Sequence, residues 1–356
     1  MSLGLRTFAW IKLTDNDFDA YMKRRVSLRD LAKELGVSIA TVSRALHGSH
    51  EVGEEMRQKV KALAEARSYR PNPFAQSLRK EAPHLIGVIV PNLVTHYFAS
   101  VLDGIEDYAS RNGYSVFSAN SHESHELEER ALDNFLSMHV DGIIACLAQD
   151  TVDYTHFEKL YEQDEPLVFF GRCCLPEKFS QVVGNGDVAA YDATKHLIER
   201  GARRIAFIGG PNHLDMVKRR KHGYLEALRE ARIPIDRELV QCGKIDFNVA
   251  REATIQLLKS DNRPDAILAF NDILTYAAFD AIKGCELRIP EDVAIIGFTD
   301  GDNAAFVTPA LSAIMDQAHE QGVAACDLLI RRINGERKIQ QKVVPMILKI
   351  RASSEK

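Results

Sequence analysis

From Pro83 onward, short β-branched apolar runs alternate with amphipathic stretches over about 270 residues, and no other feature of the chain limits its fold so strongly. The runs are Leu85 to Val90, Gly142 to Cys146, Leu167 to Phe170, Ile205 to Ile208, Ala266 to Phe270 and Val293 to Ile296. Helices are expected near residues 98–111, 126–138, 188–199, 218–231, 249–259 and 276–282. Runs that are apolar without alternation bury both faces, which predicts parallel sheets wrapped by helices. One core rarely extends over so many residues, so two similar subdomains are expected. Ligands of open α/β sheets bind outside the carboxyl ends of the strands, so residues just after the runs should line a cleft. Tyr97 and Phe98 follow the first run, Phe247 follows Ile245-Asp246, Asn271 and Asp272 follow Phe270, and Asp300 follows Phe298. Aromatic faces stack on sugar or base rings, and Asn and Asp hydrogen-bond to vicinal hydroxyls or ring nitrogens.

The segment before Pro83 has a different character. The formal net charge of −5 conceals an asymmetry. Met22 to Lys80 holds 13 Lys and Arg against 6 Asp and Glu, a balance of +7, whereas Glu81 to Lys356 holds 30 against 41, a balance of −11. A basic module suited to a polyanion therefore precedes an acidic one with another task. Ser27 can cap a helix whose third residue is Asp30 and whose apolar residues Leu28, Leu31, Ala32 and Leu35 recur at helical spacing until Gly36. Ser38 caps a second helix with Val42, Ala45 and Leu46 on its core face, leaving Ile39, Ala40, Ser43 and Arg44 on the opposite, exposed side. A third helix follows from about Glu54 to Arg67, burying Val60, Leu63 and Ala64. Residues 1–21, which include the sole tryptophan Trp10, read as a leader, with Met22 as an alternative start and an extra helix anchored by Trp10 as the other reading.

Two short helices joined at a glycine form a helix-turn-helix, and the second enters a major groove only if its side chains do not hold it off. Small Ala40 and Ser43 permit that approach, Ile39 can meet a thymine methyl, and Arg44 can donate to a guanine or a phosphate. Ser27, Thr41 and Ser43, with Lys23, Arg24 and Arg25, can anchor phosphates. A helical bundle with a solvated polar face is the alternative that these residues leave open.

The run Val26-Ser27-Leu28-Arg29-Asp30-Leu31-Ala32-Lys33-Glu34-Leu35-Gly36-Val37-Ser38-Ile39-Ala40-Thr41-Val42-Ser43-Arg44-Ala45-Leu46 resembles the signature of the lactose/galactose repressor (LacI/GalR) family. Tyr69-Arg70-Pro71-Asn72-Pro73-Phe74-Ala75-Gln76-Ser77-Leu78 resembles that family's linker with its hinge helix, and the similarity extends from about Arg25 to about Arg351. The resemblance implies an all-α helix-turn-helix head plus an α/β periplasmic-binding-protein-like effector domain of two subdomains with parallel sheets. It implies a head at 22–70, a hinge linker at 71–82 and an effector-binding and dimerisation domain at 83–356. The N-subdomain is expected at about 83–183 and 313–342 and the C-subdomain at about 184–312 and 343–356, with crossovers near Val183, Ser312 and Lys342. DNA contacts are implied at Ser27, Ser38, Ile39, Ala40, Thr41, Ser43, Arg44, His47, Asn72 and Ala75, and Leu78 falls where the family wedges a leucine into the minor groove. His47 stands where many members carry asparagine.

In the large segment, Arg220 matches the position whose guanidinium clamps the effector. The chain departs from the family elsewhere: Thr299 replaces a frequent aspartate, with the acid one place later at Asp300, and Gly171-Arg172 stands where an aspartate is common. Leu214 and Met216 make the cleft apolar where relatives place polar contacts. With Arg172 and Arg220 together, an anionic effector such as a phosphorylated or acidic sugar is expected. The implied partners are double-stranded operator DNA, a small-molecule effector (sugar, sugar phosphate or sugar acid) and a second copy of the chain as a homodimer.

Enzyme and membrane readings find little support. Composition is that of an ordinary globular chain, 46% apolar and 27% charged, without a transmembrane run or secretory leader, so a cytoplasmic protein is expected. The six cysteines lack C-x-x-C spacing and should be free thiols. Gly184-Asn185-Gly186-Asp187-Val188-Ala189 fits a dinucleotide-binding pattern, yet Gly209-Gly210-Pro211 stands where an acid is required, so the motif reads as a turn. His122 and His125 lie three apart without a supporting ligand run, so neither a metal nor a cofactor is expected. The remaining rival is a cytoplasmic sugar- or nucleoside-binding sensor or enzyme whose basic N-terminal module contacts protein.

Overall fold

A computed structural model describes residues 26–46, 48–67, 69, 84–299, 301 and 303–356. The leader and the hinge linker, with Asn72, Ala75 and Leu78, lie outside the described residues, as do His47 and Asp300. The chain divides into one unit ending at Glu81 and a second beginning at Ala82.

The first unit holds three helices, α1 Leu28–Leu35, α2 Ile39–Leu46 and α3 Glu54–Ala66. Ser27 and Asp30 form a reciprocal cap on α1: the Ser27 amide donates to Asp30 Oδ2 at 2.8 Å, and the Asp30 amide donates to Ser27 Oγ at 3.3 Å. Gly36 ends α1 at φ 65°, a left-handed conformation that a residue with a Cβ adopts only at a cost. Ser38 then starts α2, its Oγ accepting from the Thr41 amide at 3.0 Å. Leu31, Ala32, Val42, Ala45, Val52, Val60 and Ala64 form the small core. Ser43 departs from expectation: it is 4% exposed and packs inward. On an eight-residue helix pressed against both neighbours, the inward arc is wide enough to take the small side chain beside Val42.

The second unit contains two six-stranded sheets built in the same way. In the first, the strands are β1 Leu85–Val90, β2 Ser115–Asn120, β3 Gly142–Ala145, β4 Leu167–Phe170, β5 Ser180–Gly184 and β11 Gln341–Val344, in the order β11-β5-β4-β3-β1-β2. In the second they are β6 Ile205–Gly209, β7 Val240–Cys242, β8 Ala266–Ala269, β9 Ala294–Phe298, β10 Ser312–Met315 and β12 Ile347–Lys349, in the order β12-β10-β9-β8-β6-β7. Every pairing is parallel except that of β10 with β12. The helices are α4 His96–Arg111, α5 His125–Ser137, α6 Thr155–Glu162, α7 Gly186–Glu199, α8 Asp215–Glu230, α9 Phe247–Lys259, α10 Asp272–Gly284, α11 Asn303–Phe306 and α12 Ala318–Ile333.

The chain passes between sheets three times. The first passage is Asn185, whose Oδ1 accepts from the Met346 amide of the third passage at 2.7 Å, so these two strands of the connection are tied. The second lies at Asp316 and Gln317, beyond the expected Ser312, because β10 still pairs with β9. The third lies at Pro345 and Met346, after β11 has paired with β5.

Each half uses a glycine to bring two helices together. A side chain at Gly104 of α4 would collide with the His319 carbonyl of α12, and one at Gly322 with the Val101 carbonyl. In the other half, Gly223 of α8 lies against the Asp187 carbonyl of α7. All six cysteines are free thiols. Among the described residues, no helix is long and apolar enough to cross a membrane.

Candidate functional site

Two surfaces gather the residues that the sequence singles out. On α2, Ile39 is 42% exposed, and Ala40 and Arg44 are also exposed, so one helix face presents an apolar side chain, a small one and a cation to solvent. Ser27 and Ser38 are exposed at the two helix starts, and Thr41 shares a 2.8 Å hydroxyl hydrogen bond with Ser38. Arg44 Nε lies 3.2 Å from Glu51 Oε2, a surface ion pair of small energy that leaves the guanidinium reachable.

The second surface is a cleft at the carboxyl ends of both sheets. Tyr97, Phe98, Arg172, Arg220, Asn271 and Asp272 all line it. Phe247 does not: it begins α9 and stands 40% exposed, because that helix starts beyond edge strand β7, away from the central strands whose ends form the cleft.

Arg220 is the most constrained side chain here. It is 2% exposed, its Nη2 donates to Asp316 Oδ1 at 2.9 Å and to Oδ2 at 3.2 Å, and its Nη1 donates to the Phe270 carbonyl. The guanidinium carbon sits 3.8 Å from the Phe298 ring centre and 4.9 Å from that of Phe270, a cation held on two aromatic faces. Arg220 Nε is buried without a hydrogen-bond partner among the described residues.

Arg172 is held in parallel fashion by Glu123: Nη1 donates to Oε2 at 2.6 Å and Nη2 to Oε1 at 3.0 Å. Glu123 reaches it because consecutive left-handed residues, His122 at φ 50° and Glu123 at φ 61°, turn the chain after β2. Each costs on the order of 1 kcal/mol. Both arginines are thus matched by a carboxylate.

Neutral polar atoms face the remaining space. Thr95 Oγ1 and Thr299 Oγ1 are buried without a hydrogen-bond partner among the described residues, and Asn271, whose Oδ1 caps α10 by accepting from the Leu274 amide at 3.0 Å, lines the cleft beside them. Tyr97 donates to Gln321 Oε1 at 2.8 Å, and Gln321 Nε2 donates to the Asp316 carbonyl at 2.7 Å. Burial, then the Asp316 charge, pushes the Tyr97 phenol well above its ordinary range, so it remains a neutral donor.

Glu123, Asp316, Thr95 and Thr299 were not among the expected effector residues. Glu123 and Asp316 follow β2 and β10, the same carboxyl-end rule that picked out Tyr97 and Asn271. β2, SVFSAN, is half polar, and β10, SAIM, is only four residues long and opens on a serine, so neither gave a long apolar run from which to count.

The chain is similar to known regulators along almost its whole length. Residues 27–72 match the description "Bacterial regulatory proteins, lacI family", and residues 194–354 match "Periplasmic binding protein-like domain". Catabolite control protein A of Priestia megaterium is 31% identical over 316 residues, covering 87% of this chain and 93% of that protein. This chain belongs to the lacI family of bacterial regulatory proteins. Its relatives include the HTH-type transcriptional repressors PurR of Histophilus somni, at 30% identity over 88% of this chain, and CytR of Escherichia coli, at 29% over 87%. These relatives are repressors of transcription and not enzymes, and this lacI-family chain is a DNA-binding transcriptional regulator. Among solved structures, the transcriptional regulator CelR in complex with cellobiose superposes with a TM-score of 0.70 at 28% identity, covering 92% of this chain and all of that one. The Lac repressor dimer bound to operator shares the fold with a TM-score of 0.80 at 24% identity, over 93% of this chain.

Proposed function

We propose that this chain represses transcription as a dimer that sets two α2 helices on a near-palindromic operator, with operator affinity controlled by an uncharged, polyhydroxylated metabolite in the cleft. The observation that carries this reading is the open face of α2, where Ile39, Ala40 and Arg44 stand exposed together. Ala40 lets the helix approach base edges, Ile39 offers an apolar contact to a thymine methyl, and Arg44 donates to guanine. The two-fold symmetry of a dimer would place the half-sites about one helical turn apart.

The ligand chemistry rests on charge matching in the cleft. Arg172 faces Glu123, Arg220 faces Asp316, and Asp272 adds a further carboxylate to the lining. An anionic ligand would gain no unpaired cation there, whereas hydroxyls can exchange hydrogen bonds with Thr95, Thr299, Asn271 and Arg220 Nε. The cellobiose held by CelR is of that neutral, polyhydroxylated class. A ligand alters operator affinity only through unequal affinity for two arrangements of the protein, and operator DNA must alter ligand affinity by the same factor.

A thermal-shift series with the full chain tests the ligand class, using neutral sugars and nucleosides beside the matching sugar acids and sugar phosphates. A specific ligand at 100 times its Kd stabilises the folded state by about 2.7 kcal/mol. The reading predicts that a neutral member raises Tm and changes operator Kd while its acid and phosphate forms do neither. A phosphate or acid that stabilises more than its neutral parent would contradict it.

A further inference from the structure

Behind the cleft, on the face of the first sheet covered by α5 and α6, lies a cluster that the regulatory reading does not use. His125 and Glu128, three residues apart on α5, meet His156 of α6, and each offers one ligand atom such that all three atoms lie within 4.8 Å of one another. We propose that these residues form a binding site for a divalent transition metal of the zinc type.

The donor set has the right chemistry. Two imidazole nitrogens and one carboxylate oxygen suit zinc, cobalt or nickel, whereas calcium and magnesium call for oxygen-rich shells. His156 Nε2 stands 3.1 Å from Glu128 Oε1. Ligands about 2.0–2.1 Å from a tetrahedral ion are separated by roughly 3.3 Å, so this pair already spans one edge of such a site. The third ligand is available, because His125 Nδ1 is buried without a hydrogen-bond partner among the described residues. The two imidazoles meet nearly edge-on, with ring centres 4.9 Å apart.

The supporting contacts leave the ligands in place. Glu128 is fully buried, its Oε2 accepts from the Ala148 amide at 2.7 Å, and its Oε1 accepts from Thr151 Oγ1 at 2.9 Å. Outer-shell hydrogen bonds of this kind orient a metal-binding carboxylate. His125 is anchored through its own amide, which donates to Asp150 Oδ1 at 2.7 Å. The metal would take the place of the proton between His156 Nε2 and Glu128 Oε1, with the imidazole in its other tautomer. The spacing of His125 with His122 pointed away from a metal because the third ligand comes from the following helix.

The site would brace the loop after β3 that reaches the second subdomain. Residues 147–151 are held by Glu128 on one side and by Glu123, which accepts from the Gln149 amide at 2.8 Å, on the other. Gln149 Oε1 in turn accepts from the Ile245 amide of the second subdomain at 2.8 Å.

The test is a zinc titration of the full chain, freed of metal by chelation and then competed against a chromophoric chelator, with cobalt(II) absorption as a second readout. The wild type is expected to bind one equivalent and to give the intense visible bands of four-coordinate cobalt without thiolate charge transfer in the near ultraviolet. His125→Ala should weaken zinc by at least ~100-fold while the metal-free chain stays folded with only a small fall in Tm, since its Nδ1 has no hydrogen-bond partner among the described residues; His156→Gln should weaken it likewise. Absence of stoichiometric binding, unchanged affinity in His125→Ala, or a thiolate band that assigns the metal to cysteine would each overturn the proposal.

Discussion

Arg220 shows how much of this protein's behaviour rests on single buried groups. Its charge is removed from water and balanced by one carboxylate, Asp316, on a floor of two phenylalanine rings. Removing one member of a buried pair leaves the other uncompensated, at a cost of about 3–5 kcal/mol. Asp316→Asn should therefore lower the unfolding free energy by about 3 kcal/mol, read from the shift in denaturant midpoint, whereas a change below about 1 kcal/mol would show the pair to be solvated. Cys146 gives a prediction in pH. Burial, opposed by the nearby Arg172 charge, raises its thiol to about 12. The folded chain keeps a proton that the unfolded chain releases, so this group's contribution is present below the ordinary thiol range and is lost as pH rises through about 12. At pH about 8, iodoacetamide should leave Cys146 unmodified in the native chain and alkylate it in denaturant, as read by peptide mass spectrometry. At this scale the sequence was legible where a residue follows an apolar strand: Tyr97, Asn271 and Asp272 all line the cleft. The charge pairing was not legible, because nothing in the one-dimensional spacing indicates that Glu123 and Asp316 pair with Arg172 and Arg220 across long separations.

At the level of elements, the fully buried strands announced themselves, whereas the edge strands and the short interior strands β5 and β10 did not. β1, β3, β4, β6, β8 and β9 are buried along their whole length, so their composition is continuously apolar. β2, β7, β11 and β12 occupy sheet edges, where one side meets solvent and polar residues intervene. The helix α12 was missed for a related reason: its outer face is charged, and its inner face is made of alanines, glycine and a cysteine as well as leucines. That small-residue face is what allows α4 and α12 to close on each other at Gly104 and Gly322. Gly322→Ala should accordingly destabilise by about 1–3 kcal/mol, because its Cβ meets backbone that cannot rotate away. A denaturant midpoint equal to that of the wild type would show that the helices separate freely. On α2, Ile39→Ala removes an exposed side chain, so Tm should stay within about 1 °C while the preferred operator sequence changes at one position in each half-site.

At the scale of the molecule, the chain separates two tasks by charge, with a balance of +7 from Met22 to Lys80 and of −11 thereafter. The basic part carries the exposed α2 face, and the acidic part carries a cleft whose cations are already paired. This division makes DNA affinity a matter of phosphate contacts and counterion release, and under the proposed function it makes ligand affinity a matter of hydrogen bonding. The measurement that bears most directly on the account is selection of duplexes from a randomised pool by the full chain, followed by anisotropy titration of the winning site. The account predicts a near-palindromic sequence whose affinity falls by about 10³-fold or more between about 50 and 200 mM salt, and a different winning sequence for Arg44→Ala. Enrichment of no sequence, or of the same one by wild type and Arg44→Ala with no dependence on salt, would contradict it.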